Sequence, residues 1–216
     1  MKKWIFLFTI LFSAPSFADE FTPSYWSEGI HLLAGGGLNS SVYISKHERD
    51  DAGLGLNLKT DLLYVFHPQW AVEWSANVKF NRVRSYLVWD TLFTLGLRAQ
   101  IPDLETPEWG MPYARLFIGR APTVIFLNGD TPANVSDPSV SRIHFDGPVA
   151  GIGWGLLNKT QKGQVWFSEI SFTIQSLEQE DDVRMDGDVP VVVSSSSRTD
   201  NSNIYSLSWT VGILAF

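Results

Sequence analysis

Residues 53–66 read Gly53-Leu54-Gly55-Leu56-Asn57-Leu58-Lys59-Thr60-Asp61-Leu62-Leu63-Tyr64-Val65-Phe66. Leu54, Leu56, Leu58, Leu62, Tyr64 and Phe66 share one parity, while Gly53, Gly55, Asn57, Lys59 and Asp61 share the other. Successive side chains of an extended chain point to opposite faces, so this run is a β-strand with one apolar and one polar face. After His67-Pro68-Gln69 the pattern resumes. Trp70, Val72, Trp74, Ala76, Val78 and Phe80 face one way, and Glu73, Ser75, Asn77 and Lys79 the other. A third run sets Leu87, Trp89, Phe93, Leu95 and Leu97 against Asp90, Thr94, Gly96, Arg98 and Gln100. Each run is far longer than the usual strand of about 5–6 residues.

The two faces decide the solvent. A soluble sandwich turns Lys, Glu and Thr outward, whereas the polar face here is thin in long charged residues and rich in Gly, Ser and Asn. The apolar face carries aromatic residues at both ends: Tyr64, Phe66 and Trp70 near one, Phe80 and Trp89 near the other. That is the double girdle of a sheet crossing two lipid–water interfaces. In hydrocarbon every backbone group must be paired internally, so such a sheet has to close. The sequence predicts an all-β fold, an eight-stranded antiparallel up-and-down transmembrane β-barrel. The expected strands are residues 26–44, 53–66, 70–81, 86–101, 113–126, 145–157, 164–177 and 203–216. Turns are expected at 67–69, 102–112 and 158–163 on one side. Connections at 45–52, 82–85, 127–144 and 178–202 fall on the other, two of them long and polar, matching short periplasmic turns and longer outer loops; within the last, residues 189–193 could extend the seventh or eighth strand beyond the membrane.

Composition agrees. Charged residues make up 18% of the 216-residue chain, and mean hydropathy is +0.00; an ordinary soluble domain has roughly 25% charged. Zero Cys removes thiol catalysis, Cys-ligated metal and disulfides. With 23 acidic against 16 basic residues and no basic cluster, nucleic acid is not the expected partner. Residues 1–18 hold Lys2 and Lys3, an apolar run over 4–12, and small residues at Ser16 and Ala18. This is the pattern of a cleaved signal peptide, leaving 19–216 as the barrel domain of an exported, bacterial outer-membrane protein.

The segment Gly147-Pro148-Val149-Ala150-Gly151-Ile152-Gly153-Trp154-Gly155 resembles the Gly-rich penultimate strands of small outer-membrane barrels of the OmpA transmembrane-domain and OmpX kind. The tail Tyr205-Ser206-Leu207-Ser208-Trp209-Thr210-Val211-Gly212-Ile213-Leu214-Ala215-Phe216 resembles their C-terminal strand. The resemblance implies that Phe216 is the assembly signal read by the barrel-assembly machinery. Tyr205, Leu207, Trp209, Val211 and Ile213 form the apolar face, so Phe216 has the opposite parity and departs from the pattern. A bulge near Gly212 or an atypical terminal Phe would account for it.

The polar parity collects Asn57, Lys59, Asp61, Glu73, Lys79, Asp90, Arg98, Arg115 and Glu169. Eight strands leave a lumen just wide enough for side chains, so these mixed charges are expected to form an ion-pair and hydrogen-bond network filling it. Pairing Phe66 with Trp70 sets Asn57 opposite Lys79 and Lys59 opposite Asn77. Pairing Asn81 with Tyr86 makes Lys79 and Asp90 diagonal neighbours. Catalytic chemistry is sparse. His144 has Ser141 and Asp146 beside it, but lipid A deacylases carry His and Ser two residues apart, and position 146 is Asp. No enzyme and no cofactor is expected. The stretch 178–188 offers Glu180, Asp181, Asp182, Asp186 and Asp188 as oxygen ligands for a divalent cation, without the EF-hand spacing; a solvated acidic loop is the expected reading. The expected function is a structural or surface-interaction role for a monomeric barrel whose partners are outer-membrane lipid and lipopolysaccharide. A narrow channel and a lipid-A-modifying enzyme are the alternatives.

Overall fold

The computed structural model describes residues 25–44, 51–83, 86–105, 110–127, 140–160, 162–177, 179–186, 189–196 and 202–215. In chain order its strands are β1 (Gly29–Ile44), β2 (Asp51–His67), β3 (Trp70–Val83), β4 (Tyr86–Gln100), β5 (Met111–Arg120) and β6 (Thr123–Phe126). Then come β7 (Val140–Asp146), β8 (Pro148–Lys159), β9 (Val165–Leu177), β10 (Gln179–Asp186), β11 (Val189–Ser196) and β12 (Ser202–Ala215). Eight of them, β1, β2, β3, β4, β5, β8, β9 and β12, pair antiparallel in that order, and β12 closes on β1. The barrel is closed, so its wall leaves no edge to be satisfied by solvent.

The register sets the shape. From Leu33 the cross-strand partners run Asp61, Ser75, Thr94, Gly119, Val149, Gln175, Ile204 and back to Tyr43 on the first strand, ten residues further along. That stagger requires strands tilted by roughly 35–45°. The resulting coil brings backbones close at Gly37, where a Cβ would run into the Trp209 carbonyl, and at Gly119, where it would meet that of Phe93.

Strand parity converts directly into burial. Leu54 is 75% exposed and Trp74 52%, whereas Ser75 is 5% exposed and faces in. At the end of the lumen nearest the 68–69 turn, Leu33, Leu63, Met111, Leu157 and Phe167 pack around Trp26 as an apolar plug. Trp26 lies across this mouth and donates its indole N–H to the Pro68 carbonyl at 2.9 Å.

At the opposite rim the structure corrects the sequence reading. Within 178–202, an expected connection, the described residues form paired strands: β10 pairs with β11 and also with β7. The stretch 127–144 likewise ends in strand, since β7 starts at Val140 and pairs with β6. The fifth and sixth staves are interrupted at Ala121–Pro122 and at Gly147 but keep their mutual register across the break. The ladder therefore runs past the barrel as a sheet β4–β6–β7–β10–β11. Paired backbone beyond the rim satisfies groups that an irregular loop would leave to water. Leu127 and Ile143 are buried in it, with Tyr86, Ile125 and Phe145 packed against them.

Two register details also differ. The β2–β3 turn pairs His67 with Trp70 through an irregularity after Val65, yet Asn57 still faces Lys79 and Lys59 faces Asn77. The β3–β4 connection is tighter than expected. Val83 pairs with Tyr86, which places Lys79 directly opposite Asp90 instead of diagonal to it. β12 pairs without a bulge through Ala215, and Phe216 lies outside the described residues. So does the signal segment 1–18.

Candidate functional site

Inward parity delivers Lys59 and Asp61 from β2, Glu73 from β3, Arg98 from β4, Arg115 from β5 and Glu169 from β9 to one level of the lumen. Each is at most 3% exposed. Three cations and three carboxylates interlock there. The Arg98 guanidinium reaches Asp61 Oδ2 and Glu73 Oε2, both at 2.8 Å. Arg115 donates to the other oxygen of Glu73 and sits 3.2 Å from Glu169 Oε1. Lys59 Nζ bridges Glu169 Oε1 at 2.7 Å and Asp61 Oδ2 at 3.0 Å. Tyr113 donates its hydroxyl to Glu169 Oε2 at 2.9 Å, and Ser75 donates to Asp61 Oδ1. Ring faces cover the cations, with Arg98 4.6 Å from the Tyr113 centroid and Arg115 4.2 Å from that of Phe117.

This arrangement answers a cost. A charge removed from water is destabilising by several kcal/mol unless opposite charge and hydrogen bonds replace the lost hydration. Here nearly every carboxylate oxygen has a donor and the cluster balances in sign. It sits directly on the apolar plug, with Lys59 5.9 Å from the Phe167 ring centroid, and the side chains of both are buried in the lumen.

Above it the lumen is polar but less charged. Asn39 donates to Asn81 Oδ1 at 2.6 Å and accepts from Ser208 at 2.7 Å, while Ser41 and Ser206 pair at 2.8 Å. Asn57 donates to Thr210 at 2.8 Å. Lys79 and Asp90, though cross-strand partners, turn to different groups. Lys79 donates to Thr173 Oγ1 at 2.9 Å, and Asp90 accepts from Thr123 at 2.8 Å and Asn81 at 3.3 Å. The expected Lys79–Asp90 ion pair is therefore replaced by two hydroxyl-bonded ions, because at the shared register each side chain leans toward a different wall.

That difference makes a prediction. Lys79→Met alone should destabilise more than Lys79→Met combined with Asp90→Asn, since the double change removes both signs and leaves no lone charge inside. Urea unfolding of the three proteins refolded in detergent micelles checks it; a double variant weaker than the single one contradicts the assignment.

Beyond this network the remaining polar residues disperse. His31 also faces into the lumen and bonds the Ser27 carbonyl at 2.7 Å. Ser141 and His144 have opposite parity on β7, so they do not form a nucleophile–base pair there; Ser141 instead bonds the Val183 carbonyl. Asp146 holds Arg120 at 2.8 Å on the outer surface. Glu180, Asp181, Asp182 and Asp186 lie along strand β10, Asp188 falls outside the described residues, and among the described residues no cluster of His, Asp and Glu is arranged to hold a metal ion. Missed by the sequence reading were Tyr113, Trp26 and the apolar plug. The signal was present: Leu63 and Val65 break the polar parity of β2 at the end where Leu33 and Leu157 break theirs.

No known family profile and no curated protein matches this chain. Solved structures do. Neisserial surface protein A is 10% identical with a TM-score of 0.53, over 86% of this chain and 99% of that one. Ail, the attachment invasion locus protein of Yersinia pestis, is 14% identical with a TM-score of 0.49, over 87% of this chain and 99% of that one. The outer membrane protein OprG from Pseudomonas aeruginosa is 14% identical with a TM-score of 0.37, over 88% and 96%. The shared property is the fold, the eight-stranded antiparallel barrel of small outer-membrane proteins.

Proposed function

We propose that the chain is a bacterial outer-membrane protein whose interior is a closed structural core, and whose working surface is the sheet that continues past the outer rim. The observation that carries this is the interlocked cluster of Lys59, Asp61, Glu73, Arg98, Arg115 and Glu169 seated on the Trp26 plug. A lumen filled by mutually paired ions offers no continuous water column. The location is supported by the exposed apolar belt between two aromatic girdles and by the fold shared with outer-membrane proteins. In this reading residues 1–18 direct export, Phe216 is the assembly signal, outer-membrane lipid and lipopolysaccharide surround a monomer, and the chain performs no catalysis.

The protruding sheet supplies the interaction surface. β11 pairs with β10 on one side, and its other edge is unpaired among the described residues. Val191 is 37% and Val192 57% exposed there. An open, β-branched edge is suited to adding a strand from another protein.

Three measurements test the proposal. In planar bilayers the purified protein is expected to show no steady conductance, and persistent ion-selective steps would promote the channel reading over this one. An epitope between β10 and β11 should be reached by antibody on intact cells, and one at the 161–162 turn only after permeabilisation. Cells carrying the chain should also gain adhesion to protein-coated surfaces, and lose that gain when residues 179–196 are replaced by a short Gly-Ser turn.

A further inference from the structure

The outer wall carries a groove of about 740 Å³, within the roughly 300–1,000 Å³ of small-ligand sites. Its lining includes Leu95, Leu116, Ile118, Ala150, Ile152 and Ile174, all on the outward parity of β4, β5, β8 and β9. Its floor includes one small outward residue. Ala150 stands opposite Ile118 on one neighbour and Ile174 on the other. Ile118 is 68% and Ile174 44% exposed, so the row has tall sides and a floor one methyl high. One register step below, Ile152 lies between Leu116 and Phe172 and continues the apolar lining.

A cation marks the outer end. Arg120 follows Ile118 on the same face of β5, towards the rim. Its side chain is 67% exposed, and one amino group is held by Asp146 at 2.8 Å. That ion pair engages one nitrogen of a guanidinium that carries five N–H donors. A guanidinium is built for a phosphate, which it binds through parallel charge-assisted bonds.

We propose that this groove holds one acyl chain of a phosphorylated glycolipid of the lipid A kind, with the phosphate on Arg120. The inference rests on the membrane reading above and adds a specific lipid site to it. The lining is apolar and lies within the lipid-facing band, which suits a hydrocarbon chain. Among the described residues the charges flanking its outer end on β5 and β7 are the Arg120–Asp146 pair, and the cation of that pair is the more exposed partner.

The test is native mass spectrometry of the protein refolded in maltoside micelles, with diphosphoryl lipid A and with fully dephosphorylated lipid A as probes. Heat-modifiable mobility confirms the folded barrel in each sample. The unmodified protein should retain one diphosphoryl lipid A. Ala150→Phe, which fills the groove, should retain roughly tenfold less, and Arg120→Gln should lose a similar factor for the phosphorylated probe only. Val78→Phe, which faces lipid away from the groove, should bind like the unmodified protein. Equal retention by Ala150→Phe, or equal retention of the two probes by the unmodified protein, overturns the proposal. A chain that never forms a heat-modifiable barrel overturns the membrane reading and this site with it, whereas a folded barrel with indifferent groove variants removes this site alone.

Discussion

Glu73→Gln is expected to lower the free energy of unfolding by about 3–5 kcal/mol, the cost of removing one partner from a buried ion pair. Glu73 is fully buried and lies closer to both Arg98 and Arg115 than Glu169 does, each guanidinium bound to a different oxygen of its carboxylate. The amide keeps the shape but loses the charge, and it presents one N–H₂ group to a guanidinium that can only donate. Three cations, Lys59, Arg98 and Arg115, are then left with Asp61 and Glu169 alone. Urea titration of protein refolded in micelles or vesicles measures the effect. A loss under about 1 kcal/mol would mean that water enters the cluster and screens the arginines, which would also weaken the case for a closed lumen.

Trp74→Arg is the second large effect, and it reports on the other face of the same strand. Trp74 lies between the girdle residues Trp70 and Phe80 and is 52% exposed on the outward face. Arginine at the mid-plane of a transmembrane barrel costs about 2–4 kcal/mol, and the loss of ring contacts adds to that. Ser75→Arg, one residue on, points inward beside Asp61 and meets crowding in place of hydrocarbon. The two changes should therefore separate by solvent. The Trp74→Arg penalty should shrink in loosely packed micelles relative to bilayers, while the Ser75→Arg penalty should stay the same. Equal sensitivity of both to the bilayer would contradict the parity of β3.

Parity was legible because it is local. A strand's alternation follows from backbone geometry at each residue, so Leu58 outward and Lys59 inward needed no knowledge of neighbours. The β2–β3 register was also legible across the short turn, and Asn57 does oppose Lys79. The β3–β4 register was not. Ending β3 at Asn81 instead of Val83 slid Lys79 two residues from its partner. The rim fared worst, because β7 and β10 alternate poorly and carry charges that read as loop, while residues 189–193 of β11 read only as an extension of a membrane strand. Their strand state comes from each other and from the ladder below, a tertiary cause that overrides weak local preference.

By itself, then, the sequence determined that long two-faced strands must close in lipid, how many staves the barrel has, and which side chains enter it. Only the tertiary structure decided who meets whom inside. Lys59 reaches Glu169, 110 residues away, and Arg115 reaches Glu73 over the intervening strand β4. Those encounters depend on the ten-residue stagger accumulated over eight registers, a sum to which every turn contributes. A one-residue slip at any turn would turn a strand's inward side chains to lipid, and a two-residue slip would set each charge opposite a different partner. The same stagger places the apolar ends of β1, β2, β8 and β9 at one mouth, where Trp26 covers them. Strand alternation is a property of single residues and their neighbours in the chain, whereas the ion cluster, the plug and the protruding sheet are properties of closure.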